Sequence, residues 1–162
     1  MNTTGIALLF ILTITIHNIE EGLWLPQWSH TAKNYHKPVD KSEFHFALIV
    51  ITALAYLISG LFMFHPELTV LKYLFAGYAG TMIINAFIPH LIATIVLKKY
   101  APGLITGIFV NLPLNSLIID YMIRNKIINL SEAILSSLIF AVLILMSLPL
   151  LFRLGRKITD WK

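Results

Sequence analysis

The sequence predicts an all-α fold, a polytopic membrane bundle of about five transmembrane helices. Three observations carry this expectation. Hydrophobic residues make up 57% of the 162-residue chain. Charged residues make up only 12%, whereas soluble domains carry about a quarter. Mean hydropathy is +0.79. Such a chain lacks the polar groups to cover a water-facing surface, which excludes a soluble globule. At ~20 residues per crossing, residues 1–162 form a single integral membrane domain.

The first helix is expected over residues 6–24 and the second over 44–64. The third, over 68–97, exceeds one bilayer thickness and is expected to tilt, kink or project. The fourth is expected over 104–123 and the fifth over 133–152. The N-terminal segment has no basic region before its apolar run and no small cleavage-site residues after it, so it reads as a helix rather than a signal peptide. The only long connection, residues 26–42, carries Pro26, Pro38 and three lysines and reads as a loop. Trp24 and Trp28 stand where an aromatic belt would lie. His30, His36 and His65 read as loop residues without a role.

Basic residues set the expected orientation. Lys33, Lys37, Lys41, Lys98, Lys99, Arg153, Arg156, Lys157 and Lys162 fall on one side; Lys72, Arg124 and Lys126 fall on the other. The N-terminus is therefore expected outside and the C-terminus in the cytoplasm, in a multi-pass protein of a prokaryotic plasma membrane. The net charge of +4 fits membrane anchoring and gives no reason to expect a nucleic-acid partner. With no cysteine, a disulfide framework, a thiol nucleophile and thiolate metal ligands are excluded.

The costly residues lie in the first helix. An ionised side chain at the centre of a spanning helix costs ~2.5–3.5 kcal/mol. His17, Glu20 and Glu21 nonetheless occur together there, on one stripe with Thr13 and Trp24. A histidine with carboxylates three and four residues on can offer nitrogen and oxygen to a single point. In the third helix, Asn85 and His90 stand about 140° apart at 100° per residue. Pro89 takes away the hydrogen bond to the Asn85 carbonyl and is expected to kink the helix, re-aiming His90. His17 and His90 are expected at matching depth in the cytoplasmic half. His45, near the start of the second helix, is a secondary candidate as ligand or proton carrier.

Between the third and fourth helices, Pro102 presets a helix start and Gly103 permits close approach. Free amides there, flanked by Lys98 and Lys99, suit an anion such as a lipid phosphate or carboxylate. Asn85, Lys98, Lys99 and Gly103 are therefore the expected substrate-binding residues. On the fourth helix, Gly107, Asn111 and Asn115 share a stripe around Pro113 that reads as interhelical hydrogen bonding; Asp120 reads as structural. The leucine-rich fifth helix reads as a lipid-facing wall.

His17-Asn18-Ile19-Glu20-Glu21, the later Asn85 and His90, and Tyr100-Ala101-Pro102-Gly103 together resemble a family of small integral membrane proteins named for an H-x-x-E-E motif. That family also shows a second histidine and a Y-x-P-G element. The resemblance spans about residues 15–115. It implies functional roles for His17, Glu20, Glu21, His90, Tyr100, Pro102 and Gly103. It implies enzymatic activity without an assigned reaction.

Three functions follow as expectations. The first is a membrane-embedded metalloenzyme acting on a lipid or other hydrophobic small molecule. His17, His90 and Glu21 would bind Zn²⁺, Fe²⁺ or Mn²⁺. Glu20 would be the general base of a hydrolytic reaction and Tyr100 would stabilise an oxyanion or hold a headgroup; with iron, oxygen chemistry is the alternative. The second is a metal-free acid–base enzyme, an isomerase, cyclase or acyl transferase, in which one of two adjacent carboxyls holds a proton. The third is a proton-coupled carrier or ion-binding protein, which five helices permit only as a homodimer.

Overall fold

The computed structural model describes residues 2–33 and 37–159. His36 and Lys162, both named above, lie outside the described residues. Among the described residues, five helices are long and apolar enough to cross a membrane: α1 (Thr3–Ala32), α2 (Lys41–Phe64), α3 (Thr69–Leu97), α4 (Leu104–Arg124) and α5 (Leu130–Ile158). No strand occurs among the described residues.

Helix α1 overruns its expected end. Residues from Pro26 onward were expected as loop, but the helix continues to Ala32. Pro26 has no N–H for the Gly22 carbonyl. His45 of α2 supplies the missing donor, its Nε2 lying 2.8 Å from Gly22 O. A Cβ on Gly22 would meet Leu48 Cδ2 at 3.0 Å, so the two helices touch where the proline interrupts the ladder. Ser29 then accepts from Val39 N at 3.1 Å, tying the return segment to the helix end.

Helix α3 breaks where the sequence predicts. Residues Ala86–Leu91 form a π-helical turn in which Ile88 leaves helical geometry (φ −125°, ψ 110°). A regular helix resumes over Ile92–Leu97. Helix α4 contains a second π turn, Gly107–Asn111. There a Cβ on Gly107 would stand 3.2 Å from Ala86, so α4 rests against the break in α3.

Helix α5 starts three residues earlier than expected because Asn129 and Glu132 form a reciprocal cap. Asn129 Oδ1 accepts from Glu132 N at 2.9 Å, and Glu132 Oε2 accepts from Asn129 N at 2.8 Å. It also runs on past residue 152. Gly155 lets it cross α2, where a Cβ would fall 3.1 Å from Glu43 Cα, and Arg156 pairs with the buried Glu43. Only part of α5 is the expected lipid-facing wall. Leu135, Leu138, Val142 and Met146 are exposed, while Ala133, Ser137 and Phe140 are buried. The buried face meets Gly77 and Gly80 of α3; a Cβ on Gly80 would stand 1.7 Å from Ser137 Oγ. Small residues permit this approach in a setting where packing, not water exclusion, drives association.

The aromatic core fills the end of the bundle remote from the α3 break. Phe62 stacks on Phe75 at 4.5 Å, and Phe10 meets Phe75 edge-on at 5.4 Å. The interhelical bonds expected of Asn111 and Asn115 are not formed. Both residues are fully buried, yet their amides have no partner among the described residues. The buried hydroxyls of α1 and α3 are used elsewhere: Thr13 donates to Phe10 O, and Thr81 donates to Gly77 O and Ser137 O.

Candidate functional site

The π turn in α3 brings together residues that an ideal helix would hold apart. Asn85 Nδ2 lies 3.1 Å from His90 Nε2 and 2.9 Å from His17 Nε2. Glu21 Oε1 lies 2.9 Å from His90 Nε2 and 3.4 Å from His17 Nε2. The rings of His17 and His90 are T-shaped, with centroids 5.3 Å apart. One donor atom from each of His17, Glu21 and His90 falls within 4.8 Å of the other two. Both histidines are buried, at 0% and 2% exposure, and Glu21 is 14% exposed. The juxtaposition read from sequence is therefore present: α1 contributes His17 and Glu21, and α3 contributes Asn85 and His90.

Glu20 stands apart from this cluster. Its Oε1 accepts from Gly103 N at 2.7 Å and from the Tyr100 hydroxyl; its Oε2 accepts from Thr106 N at 2.9 Å. An anion was expected at the start of α4, and the chain supplies it internally. Amides at a helix N-terminus favour negative charge, and Glu20 reaches them from α1. With both oxygens occupied, Glu20 is not placed as the general base expected of it. Tyr100 is likewise committed to Glu20 rather than aimed at the cluster. Burial and the Glu20 bond push its hydroxyl pKa up to about 12.

Thr106 links the two halves of the site. Its Oγ1 lies 2.9 Å from His17 Nδ1. With Nδ1 turned to Thr106, the Nε2 of His17 faces Glu21 and Asn85. Sequence reasoning missed Thr106. The signal was a threonine in the otherwise apolar first turn of α4, three residues after Gly103.

Gly103 has a positive φ of 95°, a region where a Cβ is strained. A Cβ there would also sit 2.4 Å from His90 Cε1. The expected close approach is thus to the His90 ring. Lys98 and Lys99 are exposed and are not brought to the cluster. His45 is also outside it, engaged with the Gly22 carbonyl.

The cluster forms one wall of an inner chamber of about 220 Å³. The other walls are apolar, including Phe44, Ile51, Met82, Leu145 and Phe152. Tyr78 also lines it, with its hydroxyl donated to Ile51 O at 2.7 Å. A larger groove of about 810 Å³ between α1 and the start of α4 is lined by Glu20, Trp24 and Tyr100, but by none of His17, Glu21 and His90. The arrangement can bind a cation, or share a proton between a carboxylate and imidazoles, out of water and beside hydrocarbon.

Comparison with known proteins agrees with this geometry at the level of family. A family described as "Protein of unknown function with HXXEE motif" matches residues 8–118. The chain is 50% identical over 150 residues to "Uncharacterized protein YrkK" of Bacillus subtilis, covering 93% of this chain and 95% of that one. No solved structure matches. The matched region runs from α1 through both π turns into α4 and takes in His17, Glu20, Glu21 and His90, so the chain belongs to the HXXEE-motif family.

Proposed function

We propose that the protein is a membrane-embedded enzyme, dependent on a divalent metal, that acts on a lipid or other hydrophobic substrate. One observation carries this reading. His90 Nε2 faces an acceptor, Glu21 Oε1, at 2.9 Å and a donor, Asn85 Nδ2, at 3.1 Å. A single ring nitrogen cannot satisfy both. A cation held by His17, His90 and Glu21 would resolve the opposition between the Glu21 carboxylate and the imidazole lone pairs. First-row metals bind nitrogen and oxygen at about 2.0–2.1 Å, which separates neighbouring donor atoms by roughly 2.8–3.0 Å at a right angle and roughly 3.3–3.4 Å at the tetrahedral angle. The two Glu21 distances, 2.9 and 3.4 Å, suit that spacing.

Zn²⁺, Fe²⁺ or Mn²⁺ fits this donor set, and such a metal would polarise a carbonyl oxygen or acidify a bound water. The chain's own residues do the rest. His17, Glu21 and His90 hold the ion. Glu20 and Thr106 orient His17, in the way a second layer of hydrogen bonds tunes metal ligands. Gly103 makes room for His90. The apolar chamber walls exclude water and receive hydrocarbon. We also place the N-terminus outside a prokaryotic plasma membrane, the C-terminus in the cytoplasm and the site in the cytoplasmic half, on the lysine and arginine distribution.

The 2.9 Å Glu21–His90 contact equally favours a second reading, a metal-free acid–base enzyme. The experiment that tests enzymatic function is incubation of the purified protein with a total bacterial lipid extract, followed by mass spectrometry. The account expects a product that disappears in His17→Ala. Disappearance on adding chelator marks the metal-dependent form, and persistence with chelator marks the acid–base form. A lipid profile identical for wild type and His17→Ala contradicts both.

A further inference from the structure

The 810 Å³ groove between α1 and the start of α4 holds a charge that the chain does not neutralise. Glu20 lines it and is only 5% exposed. Its three donors, the Tyr100 hydroxyl and the Gly103 and Thr106 amides, are neutral groups. Among the described residues, no lysine, arginine or histidine pairs with it, and none lines the groove. The amides at the start of α4 supply the equivalent of about half a positive charge, so about half of the carboxylate's charge is left unmatched. Buried charges are otherwise paired, and the missing partner is a cation.

The remaining walls select the kind of cation. Trp24, Trp28 and Tyr100 line the groove, and Trp24 and Tyr100 are 55% and 43% exposed, so aromatic surface is open to a ligand. Aromatic rings beside a carboxylate suit an organic ammonium group, which the negative ring faces attract. The groove also offers a place for hydrocarbon, because Ile16, Ile19 and Ile105 line it and are exposed. From Ile16 to Gln27 the α1 wall rises roughly 16 Å, from isoleucine past Glu20 and Trp24 to an exposed amide. That order matches a lipid lying along the bundle with its headgroup at the level of the aromatic residues. Lys98 and Lys99, exposed and next to Tyr100 in the chain, suit the phosphate of the same lipid.

We propose that this groove is a binding site for a membrane phospholipid with an ammonium headgroup. The ammonium rests against Trp24 and Tyr100 beside Glu20, and the acyl chains follow Ile16, Ile19 and Ile105. The site is separate from His17, Glu21 and His90, none of which lines the groove, and it stands whether or not that cluster holds a metal.

The test is native mass spectrometry of the purified full chain in detergent. One titration uses phosphatidylethanolamine; the other uses the same lipid N-acetylated, which turns its ammonium into a neutral amide. The expected result is one tightly held phosphatidylethanolamine per chain and roughly tenfold weaker binding of the N-acetyl form. Trp24→Leu keeps apolar bulk at an exposed position and removes the ring. It is expected to weaken phosphatidylethanolamine binding roughly three- to tenfold and to leave binding of the N-acetyl lipid unchanged. Glu20→Gln is expected to erase the preference between the two lipids. Because that substitution also removes a support of the α4 start, Trp24→Leu is the deciding variant. Equal affinity of the wild-type chain for the two lipids would overturn the proposal, as would a Trp24→Leu curve for phosphatidylethanolamine identical to wild type.

Discussion

His17 Nδ1 and Thr106 Oγ1 share a hydrogen bond of 2.9 Å, and the Thr106 amide donates to Glu20 Oε2 at 2.9 Å. These bonds join α1 to α4 and make one unit of what the sequence presents as a motif and a separate helix start. The HXXEE motif thereby divides its labour. Glu21 faces α3 and the second histidine, while Glu20 faces α4 and closes its N-terminus.

Thr106→Val removes the hydroxyl partner of His17 Nδ1 while keeping side-chain volume. Loss of such a supporting bond typically weakens metal affinity by roughly 10–100-fold. Zinc titration against a competing chelator measures it. Thr106→Ser is expected to restore wild-type affinity; equal affinity in Thr106→Val and wild type would show that the bond orients nothing.

Glu20→Gln keeps one acceptor oxygen but loses the charge that three donors converge on, the Tyr100 hydroxyl and the Gly103 and Thr106 amides. Hydrogen bonds to charged groups contribute about 1.5–3 kcal/mol, so the melting temperature in detergent should fall. Protein-bound metal should nevertheless remain near wild type. Complete loss of metal at unchanged melting temperature would contradict the separation of Glu20 from the ligand set.

Tyr100 gives a pH signature. Its hydroxyl titrates at about 12 in the folded chain, against 10.0 for a free tyrosine. The folded state thus holds this proton more tightly than the unfolded state. The stabilisation is complete below pH 10 and disappears as pH rises from about 10 to about 12. Wild type should melt above Tyr100→Phe by a constant margin up to pH 10, and the two should converge above it. A gap that closes between pH 6 and 8 would point to a different group.

Gly103→Ala combines a strained φ, costing about 1–2 kcal/mol, with a methyl group 2.4 Å from His90 Cε1. Metal affinity should fall at least as far as in Thr106→Val, because His90 must move. As a contrast, His45→Phe leaves the Gly22 carbonyl unpaired and should cost about 1–3 kcal/mol of stability with metal content unchanged. Metal loss in His45→Phe would count against its assignment to the α1 backbone.

Much of this was legible in the sequence because it follows from single-helix geometry. Five apolar stretches, the shared face of His17, Glu20 and Glu21, and the break at Pro89 need no knowledge of neighbouring helices. What was not legible depends on partners far along the chain. Helical arithmetic puts both glutamates on one face, and only the positions of α3 and α4 decide which carboxylate meets which helix. Pro26 reads as a helix stop until His45 is seen to satisfy Gly22 O at 2.8 Å. The same proline rule applied to Pro89 predicts a freed Asn85 carbonyl, so applying it to Pro26 would have prompted a search for a donor.

The most direct test of the central claim is the metal content of the chain purified without chelator, measured by elemental analysis for wild type, His17→Ala and Glu21→Ala. The account predicts close to one divalent metal ion per wild-type chain and a near-complete loss in both variants while helicity is retained. Wild-type protein free of metal, or variants as well loaded as wild type, would contradict it.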